Sequence, residues 1–130
     1  MSSKAPTGWV YYIGAIEAET PRIKIGFTKA SPHVRMKALQ TGSPCPLALL
    51  AVQRGSVSDE QRLHDQFADT HLHGEWFELS EALYQHICTI VWLQANQSMI
   101  LGEPIERWVR VGLQSMHESH PLPEELAALL

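Results

Sequence analysis

Apolar and polar positions alternate in the first third of the chain and fall into helical spacing after it. Residues 9–16, Trp-Val-Tyr-Tyr-Ile-Gly-Ala-Ile, are β-branched and aromatic and predict a strand. Glu17–Pro21 is polar and turn-like, and Arg22–Phe27 returns as a second strand. Ile23, Ile25 and Phe27 face one side of that strand; Arg22, Lys24 and Gly26 face the other. Ser31-Pro32 opens a helix over roughly 32–41 that Gly42 ends. Ser43-Pro44-Cys45-Pro46 predicts a loop, and Leu47–Gln53 a third strand. Ser58 with Gln61 three residues on reads as a capping box starting a helix to about Asp69. A polar, His-rich loop leads to Gly74-Glu75-Trp76-Phe77, with Trp76 and Phe77 as core and Gly74 at a bend. Leu83, Ile87, Ile90 and Val91 carry the helical period of a helix from about Ser80 to Asn96. A break at Gly102–Pro104 separates it from a helix over 105–118, and residues 123–130 form a short terminal one. The order ββαβα, then helices, predicts an α/β fold: a small three-stranded, mainly antiparallel sheet flanked by helices, with residues 8–96 as the domain and 97–130 as a helical extension.

Composition narrows this only a little. A chain of 130 residues supports one hydrophobic core. No apolar run reaches the ~20 residues of a membrane-spanning helix, and the N-terminal residues lack a hydrophobic signal core. Cys45 and Cys88 are too few for a disulfide framework, so free thiols in a reducing, cytoplasmic setting are expected. The net charge of −4 conceals a split: residues 22–62 carry seven basic and two acidic residues, whereas from Leu63 onward two arginines face ten acids. A basic segment on an acidic chain is compatible with a phosphate-rich partner.

Placed on these elements, Val10-Tyr11, then Lys24-Ile25-Gly26, then Arg35, then Glu60-Gln61-Arg62-Leu63-His64, then Gly74–Phe77 form an ordered constellation. It resembles the GIY-YIG nuclease superfamily over about residues 8–85, and within it the phage and bacterial branch whose second half-motif reads KIG. The resemblance implies a divalent-metal-dependent endonuclease acting on DNA, with RNA as the alternative, and with Tyr11, Lys24, Arg35, His64 and Glu60 in catalysis. It also implies that Glu60 holds a single Mg²⁺ or Mn²⁺. The chain departs from the family in carrying Lys24 where many members have tyrosine, and Leu39 where some relatives keep a histidine.

The residues suit those roles. If the hairpin has no bulge and paired residue numbers sum to 35, Tyr11 stands directly opposite Lys24. An ammonium there favours the phenolate that a tyrosine base needs. Tyr12, on the other face, belongs to the core. Glu60 shares a helix stripe with Leu63, His64 and Phe67, the inward one, where a carboxylate is costly without a metal or an ion pair to Arg35 or Arg62. Arg35 can clamp a phosphate bidentately. His64, one turn from Glu60, can move a proton, bind metal or simply pack.

Other readings compete. His64, His71, His73 and Cys45 could in principle hold zinc, but their spacing matches no common zinc signature. Trp9, Trp92 and Trp108 read as packing or interface residues. Ile105, Trp108, Val109 and Met116 give the 105–118 helix an apolar face that packs on the domain or across a two-fold axis, and a homodimer is the favoured assembly. A catalytically silent nucleic-acid-binding module, and a phage-encoded inhibitor that binds protein through the acidic half, are the two alternatives in function.

Overall fold

Proline 21 decides where the second strand begins. It has no amide N–H to give a ladder, and in the computed structural model, which describes residues 6–100 and 107–130, β2 (Arg22–Thr28) starts immediately after it. β2 runs antiparallel to β1 (Gly8–Ala15) with Ala15 opposite Arg22, so paired numbers sum to 37 rather than 35. The connection is residues 16–21, one residue longer than the Glu17–Pro21 turn expected, and Ile16 at its start is buried in the core.

β3 (Ala48–Gly55) joins the other edge of β1, with a register shift between Tyr12 and Ile13. The expected three-stranded sheet is extended to five. Residues 71–78 form a hairpin of β4 (His71–His73) and β5 (Trp76–Glu78), turned at Gly74 with φ +55°, a left-handed conformation that glycine adopts freely. β5 pairs with β2, giving the antiparallel order β3-β1-β2-β5-β4.

β1 is central and buried on both faces. Val10, Tyr12 and Ile16 enter the larger core with Ile23, Ile25 and Phe77. Helices α2 (Val57–Gln66) and α3 (Glu81–Ile100) close that side, through Leu63 and through Leu83, Ile87 and Val91. Tyr11 and Ile13 point the other way, with Leu49 and Val52, beneath Met36 and Leu39 of α1 (Pro32–Thr41). The face that carries Lys24 and Gly26 is thus covered over β1 and β3, and on β2 Lys24 and Gly26 are buried as well.

The cap of α2 falls two residues before the one expected. Ser56, not Ser58, is the N-cap, and Asp59 accepts from its amide (2.8 Å) and hydroxyl (3.1 Å). The break at Gly102–Pro104 and Ile105 lie outside the described residues, as does the side chain of Trp108. Beyond them, α4 (Arg107–Ser119) lays Val109, Leu113 and Met116 into the main core, and α5 (Glu124–Ala127) adds Leu126. α4 meets β3 so closely that a Cβ on Gly112 would sit 2.6 Å from the Leu49 carbonyl oxygen. The described part of its apolar face, Val109, Leu113 and Met116, is therefore packed within the chain. Leu113→Ala is expected to cost about 2–5 kcal/mol in denaturant unfolding, the usual range for a buried leucine. A change below about 0.5 kcal/mol would show that α4 docks only loosely.

Candidate active site

The candidate site lies where β2, the start of β5 and α2 meet. Antiparallel register puts Tyr11 across from Gly26, and Lys24 between Ile13 on one neighbour and Trp76 on the other. Tyr11 and Lys24 therefore share a face but stand diagonally, one pair apart, which corrects the directly opposed arrangement expected. What lies across Tyr11 is a glycine. A Cβ at position 26 would come within 2.3 Å of the phenol carbon and oxygen, so Gly26 vacates the space the ring occupies.

The cation at the Tyr11 hydroxyl is Arg35, whose Nε donates to it at 3.4 Å from α1. Burial raises the phenol above its ordinary value, opposed by the Arg35 hydrogen bond, while the charges of Glu75 and Glu60 push the same way as burial. Lys24 was expected to favour the phenolate. It is turned elsewhere: only 8 % exposed, it pairs with the Glu75 carboxylate at 3.3 Å.

Glu60 is partly buried, in keeping with the inward stripe, and neither arginine foreseen as a partner reaches it. Arg62 is bound to Asp59, and Arg35 is occupied by Tyr11. Burial raises the Glu60 carboxyl and nearby Glu75 raises it further, with His64 and Lys24 opposing. His64 Nε2 lies 3.7 Å from Glu60 Oε1 and 2.8 Å from the Ile25 carbonyl oxygen. A carbonyl only accepts, so Nε2 carries the proton and donates to Ile25. That nitrogen has no lone pair to offer a metal while the bond stands, and the imidazole, packed edge-on against Phe77, holds its place beside Glu60.

Ligand atoms of Glu60, His64 and Glu75 lie within 4.8 Å of one another, and this is the one such group of metal-binding side chains among the described residues. Glu60 and Glu75 offer carboxylate oxygens, which suit a hard cation such as Mg²⁺ or Mn²⁺. A half-buried carboxylate whose proton affinity is raised by burial and by a neighbouring carboxylate gains from a cation between the two, so the donor set fits the ion. The zinc alternative finds no support: Cys45, His71 and His73 join no such group, and His71 Nε2 bonds the Gly74 carbonyl oxygen at 2.7 Å.

Glu75 is the residue the sequence did not single out. It stands at the hairpin turn, and its carbonyl accepts the Ile25 amide at 3.0 Å, which fixes it against β2. The usable signal was charge complementarity with Lys24, but that requires knowing that β5 pairs with β2. Trp76 also departs from expectation: Phe77 is core, while Trp76 is half-buried on the Lys24 face.

In this α/β domain a tyrosine–arginine couple and a cluster of carboxylates converge on one buried lysine. The chain belongs to the T5orf172 domain family, matched over residues 8–92, a phage-associated and nuclease-related family. No curated protein and no solved structure matches the chain. No helix of the described residues is long and apolar enough to cross a membrane.

Proposed function

We propose that the chain is a divalent-metal-dependent endonuclease of GIY-YIG type that hydrolyses phosphodiester bonds in DNA. The observation that carries this reading is the convergence of Glu60 and Glu75 beside Lys24, close enough to the Tyr11–Arg35 couple for both carboxylate charges to act on the phenol.

Glu60 and Glu75 would hold one Mg²⁺ or Mn²⁺, which when bound supplies Lewis-acid stabilisation of negative charge on phosphate oxygens. Arg35 turns its guanidinium from the Tyr11 hydroxyl to the scissile phosphate, where it matches the charge of the transition state. Tyr11, as phenolate, takes the proton from the attacking water. Lys24 holds Glu75 in place and keeps the pair of acids from repelling an incoming phosphate. His64 positions Glu60 through its own bond to Ile25. Arg22, Lys24, Arg35 and Arg54 give the face a positive field, and Arg54 lies over the Trp9 ring at 4.8 Å on the same row of the sheet.

Supercoiled plasmid nicking with Mg²⁺ or Mn²⁺, wild type beside Glu60→Ala, tests the proposal. Because burial holds Tyr11 protonated, the wild-type rate should climb with pH through the neutral range with no plateau below pH ~9, approaching tenfold per unit. Glu60→Ala should be inactive throughout. Binding without nicking under any divalent ion would leave a nucleic-acid-binding module in its place.

A further inference from the structure

Beside the candidate site, at the foot of β2, a cleft of about 430 Å³ runs between the sheet and the end of α1. Trp76, Arg22, His73, Leu39, Ser43 and Cys45 are among the residues that line it. We infer that this cleft, with Trp76 as its stacking platform, holds an unpaired nucleobase next to the scissile phosphate, so that the substrate strand is single-stranded on that side. The inference rests on the nuclease reading and adds the class of DNA it acts on.

Three observations lead there. First, Trp76 is on the catalytic face: it pairs with Lys24 and continues the row Ile13–Lys24–Trp76, one step from the row that holds Tyr11 and Gly26. Two strand spacings, roughly 10 Å, separate it from β1, which is the scale of neighbouring nucleotides on a strand. Second, the ring is not used by the core. Its neighbour Phe77 fills that role from the opposite face, and Trp76 is left half-buried on the wall of a cleft. Third, the ring is flanked by cations, with Arg22 Cζ 5.9 Å and Lys24 Nζ 5.8 Å from its centroid. Glu75 takes Lys24, whereas Glu78, opposite Arg22 in the ladder, forms no ion pair with it among the described residues. An aromatic ring beside a guanidinium that no carboxylate pairs among the described residues complements one nucleotide, the base on the ring and the phosphate on the cation. Bases inside a duplex are covered on both faces by their neighbours, so this platform serves an unpaired one.

The full chain should therefore be titrated with fluorescent oligonucleotides in Ca²⁺ or EDTA, where cleavage is silent: a short single strand, the same strand in a duplex, and a duplex with a single-stranded flap. Wild type should prefer the single strand and the flap. Trp76→Ala should weaken both by about ten- to hundredfold and leave the duplex unchanged, whereas Trp76→Phe should keep most of the affinity because stacking survives. Arg22→Ala should weaken them less and lower the salt slope by about one. Circular dichroism of each variant shows whether it is folded, and Trp76→Phe with Arg22→Ala carries the test if Trp76→Ala is not. Binding in which no Trp76 or Arg22 variant discriminates single strand from duplex overturns the inference and leaves the nuclease reading intact. No binding to any of the three substrates overturns both.

Discussion

Gly26→Ala should lower cleavage by about a hundredfold while the protein stays folded. The added Cβ would lie 2.3 Å from both Cζ and Oη of Tyr11, far inside contact distance. Tyr11 has no easy escape. It is 1 % exposed and packed with Ile13, Leu49 and Val52 under Met36 and Leu39. The phenol must therefore shift by something approaching an ångström, and its bond with Arg35, already 3.4 Å, is lost. Misplacement of a reacting group by about 1 Å costs on the order of 10²-fold. The same crowding should cost about 1–3 kcal/mol of stability, as overpacking does elsewhere. The assay compares nicking by Gly26→Ala and Tyr11→Phe with unfolding of both. If Tyr11→Phe is inactive and Gly26→Ala cuts at the wild-type rate, the position of the phenol does not matter and Tyr11 acts in some other way.

That glycine marks how far the sequence could be followed. Alternation in Arg22–Phe27 correctly assigned Ile23 and Ile25 to the core and Lys24 and Gly26 to the other face, because period 2 survives any slip by two residues. The register itself was not legible. It depends on the length of the turn, and Pro21 sets that by refusing the ladder. Tyr12 in the core and Glu60 on an inward stripe followed from the same kind of periodicity. The hairpin at 71–78 did not, since its strands are three residues each and too short to show a period. Without the hairpin there was no neighbour for β2 on that side, so Glu75 and the exposed side of Trp76 had no place to be put. The α2 start was missed for a different reason: Asp59 at the third helical position serves Ser56 as well as the Glu or Gln of a standard box.

Glu60→Gln should abolish Mn²⁺ binding and yet stabilise the metal-free protein at neutral pH. Burial, with Glu75 beside it, raises the Glu60 carboxyl above its ordinary 4.5. A raised value means that the folded state keeps a proton the unfolded chain has already released. Stability linked to this group is therefore fully present below pH ~4.5 and declines as pH rises through the raised value. At pH 7 the ionised carboxylate is a net cost to the fold, which the neutral glutamine removes. Metal reverses the balance, since an ion bound only by the folded chain stabilises it by about 2.7 kcal/mol at a hundred times its Kd. Wild type should thus melt lower than Glu60→Gln in EDTA and gain on adding Mn²⁺, while the mutant should not respond. Glu75→Gln should keep one site by calorimetry but bind at least 10–100-fold more weakly, the loss seen even for outer partners of a metal. It also frees Lys24, whose unpaired ammonium then competes with the ion, so Glu75→Gln with Lys24→Met should recover part of the affinity. Mn²⁺ binding that is equal in wild type and Glu60→Gln would remove the metal from this site, whatever the nicking assay shows.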